Sequence, residues 1–583
     1  MKAFFKFLLA SILGVGIALT LFTLIAFAFI ASFSKEQEVE IKDHSVLTLT
    51  LDYPIQERTI NNPFENVLFG GINKKTIGLT DILERIEWAK SDPKIKGIYL
   101  DASMVSANFA SLEAIRNALL DFKTSEKFIV AYSEIFTQGA YYLASTADKI
   151  YMNPEGVFSF QGLSSTSIFF KGALDKLGID AQVIKVGTYK SAVEPFILDK
   201  MSEANREQTA ALLQSIYGHY LDGISQSRDI PVDRLQEIAD QYLVSDVESA
   251  QAHGLVDEAK YKDEVLESLN ANLGEDIDAD INAISIEAYH YKPASESSSR
   301  DRIAVVYAVG DIISGEGDDM QIGSERISRE LRKVRKDDKV KAVVFRINSP
   351  GGSALASDVI WREVELIKQV KPIIVSMGDV AASGGYYIAC AADSIFAEPT
   401  TITGSIGVFG IIPNFQEFLN DRIGVTTDVV KTGKFSDFGD VSRALSSEEE
   451  ALIQREINQI YETFTTKVAS GRNLSPHYVD SIGQGRVWSG VQGMELGLVD
   501  GLGGLDVAIE AAANKAGIDA YKLVQYPSIS SPFETLLNTS SDQITAWYAK
   551  SRLGAAYPYY EQMERAVKQT GILMRMPYSL EIH

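Results

Sequence analysis

The chain has 583 residues, several times the length of a typical single domain, so we expect more than one hydrophobic core. Its composition, 46% hydrophobic and 23% charged, is that of a folded globular protein and excludes global disorder. The formal net charge of −23 disfavours binding to nucleic acid, whose phosphates are also negative. The single cysteine, Cys390, has no second cysteine with which to form an intrachain disulfide or a thiolate metal cluster.

The first part of the chain predicts a membrane anchor. An uncharged stretch of 28 residues spans positions 7–34. At about 1.5 Å per residue, a helix of that length exceeds the roughly 30 Å hydrocarbon core of a bilayer. A cleaved signal peptide with a small-x-small site at Ala26–Ala28 is the alternative, but its apolar region is usually only about 7 to 15 residues long. We therefore predict a cytoplasmic tip and anchor at residues 1–34, and the positive charges of Lys2 and Lys6 predict a cytoplasmic N-terminus.

Part of the sequence occurs twice. Residues 129–162 align without a gap with residues 374–407, and 11 of the 34 positions are identical, which indicates an internal duplication. We therefore predict two copies of one folding unit. The predicted organisation is an N-terminal repeat, a linker, a C-terminal repeat and a C-terminal extension of unknown role, at residues 35–292, 293–301, 302–525 and 526–583.

Within each repeat, short apolar runs alternate with longer amphipathic runs. In the C-terminal repeat they predict, in chain order, strand Ile303–Ala308, helix Ser324–Val334, strand Ala342–Ile347, helix Ser357–Gln369 and strand Ile373–Met377. Strands separated by helices of this length indicate βαβ units and a mainly parallel sheet. The strands of such a sheet are buried on both faces, which explains their nearly continuous hydrophobicity. The predicted fold class is α/β, in a tandem duplication.

The two repeats differ after one predicted strand. Asn348–Ser353 reads NSPGGS in the C-terminal repeat, whereas the corresponding residues 103–108 read SMVSAN. Adjacent glycines let backbone N–H groups approach a ligand closely, and such donors can form an oxyanion hole. An ordinary turn between a strand and a helix is the alternative interpretation.

A second difference introduces a serine. Ser383 lies in the segment AASGG before a helix-like run, and the N-terminal repeat has Gln138 at the same position. A hydroxyl at the start of a helix lies at the positive end of the helix dipole, which favours developing negative charge. Ser383 is therefore a candidate nucleophile, although a serine at this position can also be an N-cap.

A serine nucleophile needs a general base, and the six histidines lie outside any recognisable motif. The sequence also has no zinc-binding pattern, so we predict no metal and no cofactor. A buried lysine can serve as the base, because burial lowers its pKa from about 10.4. Lys190 of the N-terminal repeat aligns with Ser436, so each repeat lacks one member of a Ser-Lys pair. These complementary losses predict one composite site, with Lys431 or Lys434 as the alternative base.

Four motifs resemble those of signal peptide peptidase A of the long, duplicated type, a family of membrane-anchored bacterial serine proteases. The resemblance covers nearly the whole chain after the predicted anchor. The motifs are GTYKSAVEPF at Gly187–Phe196, NSPGGS at Asn348–Ser353, AASGGY at Ala381–Tyr386 and GSIG at Gly404–Gly407.

The resemblance implies a role for each of these residues. Ser383 would be the nucleophile, Lys190 the general base and Ser405 a hydrogen-bonding partner of the lysine. Backbone N–H groups of glycines would form the oxyanion hole, namely those of Gly352, Gly384 and Gly351.

The resemblance also implies a crotonase-like fold of the kind found in Clp protease, and a homotetramer. It implies a location in the bacterial inner membrane, with the catalytic domains on the periplasmic side and residues 7–34 in the lipid bilayer. The implied substrates are apolar peptides such as released signal peptides. Two other classes of function remain as alternatives: a non-catalytic membrane scaffold or chaperone, and acyl-CoA chemistry on a crotonase-like fold.

Overall fold

A computed structural model of the chain describes residues 2–33, 40–59, 77–291, 299–529 and 571–576, together with a few isolated positions between 549 and 560. Most of the predicted linker and most of the predicted C-terminal extension lie outside the described residues.

Helix α1 (Lys2–Phe33) covers the predicted anchor. Its described side chains, at residue 4 and residues 6–21, are exposed, and its side chains from residue 22 onward lie outside the described part. Among the described residues, no helix reaches the length and apolarity that crossing a membrane requires. The membrane anchor therefore stays a prediction.

The first half of the chain after α1 is built around one sheet. Its elements, in chain order, are β1 (Ser45–Leu49), α2 (Leu79–Ser91), β2 (Ile95–Asp101), α3 (Phe109–Lys123), β3 (Phe128–Phe136), α4 (Gln138–Ala144), β4 (Lys149–Phe158), α5 (Lys171–Leu177), β5 (Asp180–Val186), α6 (Glu194–Ile197), α7 (Glu203–Arg228), α8 (Val232–Asp240), α9 (Val247–Ala252), β6 (Glu258–Ala259), α10 (Lys262–Leu273) and β7 (Ala283–Ser285). The strand order is β6-β4-β3-β2-β1-β7, and every neighbouring pair is parallel.

The second half repeats this plan. Its elements are β8 (Arg302–Val309), β9 (Asp311–Ile313), β10 (Gln321–Gly323), α11 (Ser324–Lys336), β11 (Val340–Ser349), β12 (Gly351–Ser353), α12 (Ala354–Lys368), β13 (Ile373–Ala382), α13 (Gly384–Ala389), β14 (Ser394–Ala397), β15 (Ile402–Gly404), β16 (Val408–Asn414), α14 (Ser447–Arg472), α15 (Pro476–Ile482), β17 (Val487–Ser489), α16 (Gly490–Glu495), β18 (Gly501–Leu502), α17 (Leu505–Ala516), β19 (Lys522–Tyr526) and β20 (Gly571–Arg575).

Sheet topology confirms the duplication. Strands run in the order β19-β8-β11-β13-β14-β18 in the second half and β7-β1-β2-β3-β4-β6 in the first, so the two sheets have the same connectivity. Each predicted strand of the second half lies within an observed one. Helix α12 begins at Ala354, three residues before the predicted start, because the Ser353 side chain accepts a hydrogen bond from the Ala356 N–H and caps the helix there.

A third sheet joins the halves, with strand order β10-β9-β12-β20-β16-β5. Strand β5 of the first half pairs antiparallel with β16 of the second half over seven residue pairs, from Val186 opposite Val408 to Asp180 opposite Asn414. The segment that follows β5, which contains Lys190, is thereby held against the second half. Strand β20, from the predicted extension, lies between β12 and β16.

Buried polar contacts also connect the halves. Arg346 Nε donates to Glu57 Oε1 at 2.5 Å, and both side chains are almost fully buried. The Asp379 carboxylate accepts hydrogen bonds from the Ser111 N–H at 2.9 Å and from the Ser111 hydroxyl at 2.8 Å, near the start of α3. A carboxylate of one half thus caps a helix of the other.

Candidate active site

Ser383 lies in the one-residue turn between β13 and α13. Its backbone has φ +54° and ψ −113°, a combination that residues with a Cβ rarely adopt. Two backbone hydrogen bonds hold it there: its N–H donates to Gly404 O at 2.8 Å and its carbonyl accepts from the Tyr387 N–H at 2.8 Å. The side chain makes no capping hydrogen bond to α13, so the N-cap alternative is not observed.

The structure brings Lys190 to Ser383. The Lys190 Nζ lies within hydrogen-bonding distance of three oxygens: Ser383 Oγ at 2.8 Å, the Ser405 carbonyl oxygen at 3.1 Å and Ser405 Oγ at 3.1 Å. Lys190 comes from the first half and both serines come from the second half. The composite arrangement that the two repeats predicted is therefore present in the structure.

Backbone atoms of the second half surround the Lys190 side chain. The Tyr189 N–H donates to Gln484 O at 2.8 Å, which fastens the lysine segment to the second half. A Cβ on Gly485 would lie 2.7 Å from Lys190 Cα, and one on Gly407 would lie 3.1 Å from Lys190 Cδ. Glycine at these two positions therefore leaves the space through which the lysine side chain reaches Ser383.

The Lys190 amine is fully buried. Burial lowers the pKa of Lys190 well below its ordinary value of 10.5, because the charged form loses its hydration. The oxygens that hydrogen-bond to its Nζ belong to hydroxyl and carbonyl groups, and no carboxylate among the described residues pairs with it to compensate a positive charge. The site therefore favours the neutral amine, which is the form that can accept a proton.

The glycines predicted to supply oxyanion donors are Gly351, Gly352 and Gly384. Gly351 has φ +101°, and its N–H already donates to Ser349 Oγ at 3.1 Å. A Cβ on Gly352 would lie 2.1 Å from Ile312 O, so only glycine fits there. Gly384 is the first residue of α13, where a backbone N–H has no acceptor within the helix. The Gly351 N–H is thus already engaged, and Gly352 and Gly384 stay the predicted oxyanion donors.

The alternative bases are engaged elsewhere. Lys434 is exposed and forms an ion pair with Glu448. Lys431 lies 2.5 Å from Asp437, on the same exposed segment. The structure therefore does not bring either lysine to Ser383.

The equivalent position of the first half carries no hydroxyl. Gln138 Nε2 donates to Gly162 O at 2.9 Å, and Gln138 Oε1 accepts from the Gly162 N–H at 3.0 Å. The glutamine side chain is thus hydrogen-bonded to backbone, and the first half has no nucleophilic hydroxyl at the position equivalent to Ser383.

Sequence reasoning missed Gln208, a buried residue of α7. Its Nε2 donates to Tyr189 O at 3.0 Å and to Ser191 Oγ at 2.9 Å, on both sides of Lys190. Its Oε1 accepts from the Val487 N–H at 3.2 Å, in the strand that pairs with β15. Gln208 therefore ties the lysine segment to the strand beside Ser405, and only its position in a long helix near GTYKS could have suggested this.

Comparisons with known proteins agree with this architecture. The profile of Peptidase family S49 matches residues 121–275 and 365–519, once in each half, and the Clp protease profile matches residues 296–402. The chain is 36% identical to "Protease 4" of Haemophilus influenzae over 87% of this chain and 84% of that protein. It is also 36% identical to "Protease 4" of Salmonella typhi, over 84% of this chain and 81% of that protein.

A plant relative extends the comparison. "Serine protease SPPA, chloroplastic" of Arabidopsis thaliana is 33% identical over 92% of this chain and 78% of that protein. Both halves match the family profile, and the relatives align along most of their own length. The chain therefore belongs to peptidase family S49 and is a serine-type protease.

Proposed function

We propose that the chain is a membrane-bound endopeptidase that uses Ser383 as nucleophile and Lys190 as general base to degrade apolar peptides such as released signal peptides. The observation that carries this proposal is the 2.8 Å contact between Lys190 Nζ and Ser383 Oγ, in a fully buried setting that favours the neutral amine. A base must lie within hydrogen-bonding reach of the proton that it removes, and this distance meets that requirement.

Acylation follows from this geometry. Neutral Lys190 takes the proton from Ser383 Oγ as that oxygen attacks the carbonyl carbon of the substrate. The N–H groups of Gly352 and Gly384 stabilise the negative charge that develops on the carbonyl oxygen. The Ser405 hydroxyl and carbonyl hold the Lys190 amine in place, and they stabilise its charge once it is protonated.

Acylation ends when the peptide C–N bond breaks and the departing amine takes a proton from Lys190, which returns the lysine to its neutral form. Deacylation uses the same groups. Lys190 then removes a proton from a water molecule, which attacks the acyl ester on Ser383. The carboxylate product leaves, and Ser383 regains its proton.

The surroundings of the pair favour apolar substrates. The Phe409 ring centroid lies 6.0 Å from Lys190 Nζ, and Phe409 belongs to a buried apolar cluster with Val193, Phe196 and Ile411. A charged substrate side chain would lose its hydration in such surroundings. An apolar segment, such as the hydrophobic part of a signal peptide, would not.

We extend the proposal to location and assembly. Residues 7–34 would anchor the chain in the bacterial inner membrane, with both halves on the periplasmic side, and the assembly would be a homotetramer. The support is the uncharged stretch and the preceding lysines for the anchor, and the family resemblance for the tetramer. Alkaline carbonate extraction of membranes tests the anchor, because the full chain should stay in the pellet while a chain starting at residue 40 is released.

Hydrolysis of a fluorogenic leucine-rich peptide by detergent-solubilised protein tests the chemistry. We expect Lys190→Ala to reduce turnover to the rate of Ser383→Ala, a loss of at least about 100-fold. Lys434→Ala is the matched control and should keep most of the activity, because Lys434 is exposed and paired with Glu448. Near-normal turnover by a folded Lys190→Ala chain would show that the base is another residue.

A further inference from the structure

One asparagine side chain joins the two strands that lead into the candidate site. Strand β11 leads into the glycine turn at residues 351–352, and β13 ends immediately before Ser383. The register of this parallel pair shifts between Ile347 and Ser349 of β11. Asn348, between them, therefore faces a bulge in β13 at residues 378–380.

The Asn348 side chain fills this bulge. Its Oδ1 accepts a hydrogen bond from the Val380 N–H at 3.2 Å, in the role that a backbone carbonyl plays in a regular ladder. A Cβ on Gly378 would lie 2.9 Å from both Cβ and Cγ of Asn348, so glycine there leaves space for the amide. The asparagine thus sets the course of β13 just before the nucleophile.

The amide nitrogen of Asn348 faces two buried carboxylates. Its Nδ2 donates to Glu57 Oε2 at 3.2 Å and to Asp379 Oδ2 at 3.4 Å. Glu57 belongs to the first half. Asp379 accepts hydrogen bonds from the N–H and the hydroxyl of Ser111, which also belongs to the first half. Buried carboxylates are costly without such partners, so contacts with the first half fix the direction of the Asn348 amide.

The first half is built differently at the equivalent strands. Ser103 and Ser133 stand at the positions that correspond to Asn348 and Gly378. Their hydroxyl oxygens are 2.9 Å apart, and Ser133 Oγ accepts a hydrogen bond from the Ile135 N–H at 3.1 Å. A short local contact replaces the asparagine there. The asparagine thus belongs to the repeat that carries the proposed nucleophile.

The chain beyond Asn348 packs tightly against the start of α13. A Cβ on Gly385 would lie 2.6 Å from the Ser349 carbonyl oxygen, and a Cβ on Gly351 would lie 2.7 Å from the Gly384 nitrogen. Such close packing transmits small displacements instead of absorbing them. A shift of Asn348 would therefore move the proposed oxyanion donors relative to the nucleophile.

We infer that Asn348 is a positioning residue, which holds Ser383 and the glycine turn 351–352 in their relative places through carboxylates that the first half secures. This inference rests on the proposed function and deepens it, because it gives the first half a second role in the site besides supplying Lys190. Asn348 acts through the two strands that it joins, not by contact with a substrate.

Hydrolysis of the leucine-rich peptide by Asn348→Ser tests the inference, since serine is the residue that the first half has at this position. We expect kcat to fall by about 10- to 100-fold with little change in KM, because a misplaced oxyanion donor costs more in the transition state than in binding. Gly378→Ala should act in the same way, because its Cβ would push the Asn348 side chain aside. The acid limb of the pH–rate profile should stay in place, since the contacts of Lys190 are unchanged.

Inhibitor binding separates positioning from a general loss of structure. A peptide aldehyde adds to Ser383 Oγ and places its oxygen at the proposed oxyanion donors, whereas the corresponding peptide alcohol cannot add. Both variants should lose affinity for the aldehyde in proportion to kcat/KM and keep their affinity for the alcohol.

Asn270→Ser is the matched control for these variants. Asn270 is a buried residue of α10, and its Nδ2 donates to the carbonyl oxygens of Ile277 and Ala279. The control should lower stability and leave kcat and both inhibitor affinities unchanged.

A double-mutant cycle tests the link to the first half. Ser111→Ala removes the hydroxyl that donates to Asp379 Oδ2 at 2.8 Å. We expect this change to lower kcat about threefold in the wild-type background and by less in Asn348→Ser, where the amide that faces Asp379 is already absent. Equal factors in the two backgrounds would show that Asp379 does not act through Asn348, and the inference would be wrong.

The remaining outcomes separate this inference from the proposed function. If Asn348→Ser and Gly378→Ala keep the wild-type kcat and aldehyde affinity, the inference is wrong and the proposed function stands. If they lose affinity for the aldehyde and the alcohol alike, Asn348 has only a structural role and the inference is again wrong. Should Asn348→Ser fail to fold, Gly378→Ala carries the same test. If wild-type protein does not hydrolyse the peptide, the proposed function itself fails.

Discussion

At the scale of single residues, the burial of Lys190 lowers the stability of the folded chain, although the proposed activity depends on that burial. Burial lowers the pKa of this amine in the folded chain, which favours its neutral form. The unfolded chain binds a proton there at any pH below about 10.5. Since the unfolded state then binds more protons than the folded state, this residue makes the chain less stable as the pH falls from 10.5 towards the lowered pKa.

We therefore expect Lys190→Met to abolish peptide hydrolysis and to raise the free energy of unfolding at pH 7. The gain should shrink as the pH rises through 10.5, because above that pH the wild-type amine is neutral in both the folded and the unfolded state. Denaturant unfolding at several pH values measures it. Lys434→Met, at an exposed lysine, is the control and should show no such pH dependence. A stability loss at pH 7 in Lys190→Met would contradict the neutral assignment.

The buried carboxyl group of Glu398 should also make folding stability depend on pH. Burial, followed by the nearby Glu113, raises the pKa of Glu398 to about 8, and its Oε2 has no hydrogen-bond partner among the described residues. The folded state keeps a proton that the unfolded state releases above about 4.5, so stability should fall as the pH rises from 4.5 to 8. We expect Glu398→Gln to raise the free energy of unfolding by roughly 2 kcal/mol at pH 9 and by little at pH 4.

Thermal or denaturant unfolding at the two pH values checks this expectation for Glu398. The exposed Glu510 offers a matched control, since Glu510→Gln should change stability by little at either pH. An equal effect of Glu398→Gln at both pH values would mean that Glu398 does not titrate in this range.

At the scale of elements, helix α7 positions the lysine segment through Gln208. We expect Gln208→Met to lower kcat for the leucine-rich peptide roughly tenfold, with a smaller change in KM, because a misplaced base costs more in the transition state than in binding. The acid limb of the pH–rate profile should also shift, since the environment of the amine changes. Gln214→Met, on the exposed side of the same helix, is the control. An unchanged pH–rate profile in Gln208→Met would show that Gln208 contributes only to packing.

The elements differ in how far sequence predicts them. Strands β8 and β11 are predictable because they are buried on both faces and read as continuous apolar runs. Strand β20 is not, because it is short and lies in an irregular stretch, and its pairing partners are far away in the sequence. Pairings of that kind depend on the assembled fold rather than on local pattern.

The residues of the candidate site likewise differ in how far the sequence predicts them. The contact between Lys190 and Ser383 was predictable, because each repeat lacks one member of a Ser-Lys pair at the aligned position and the two repeats together supply both. Sequence could not choose between Gly351 and Gly352, since the choice depends on a hydrogen bond from the Gly351 N–H to Ser349 Oγ. Nor could it assign Gln208, whose role depends on how α7 packs against β17.

At the scale of the whole molecule, the proposed site requires contact between the two halves, because Lys190 and Ser383 come from different halves. The buried pair of Arg346 and Glu57 bridges them. We expect Arg346→Ala to lower the free energy of unfolding by about 3 to 5 kcal/mol, because it leaves a buried carboxylate unpaired. Arg329→Ala removes an exposed pair with Glu316 and should cost less than about 1 kcal/mol. Equal costs for the two variants, measured by denaturant unfolding, would show that the buried pair is not a structural link.

We propose that a neutral Lys190 from the first half of the chain activates Ser383 in the second half. The most direct measurement is the rate at which an active-site-directed serine acylating reagent labels Ser383, followed against pH. The wild-type rate should rise with pH and reach a plateau well below pH 10.5, as the lowered pKa of Lys190 requires. In Lys190→Ala the rate should be at least about 100-fold lower, and this titration should be absent. Labelling of Lys190→Ala at the wild-type rate, with the same pH profile, would show that Lys190 does not activate Ser383.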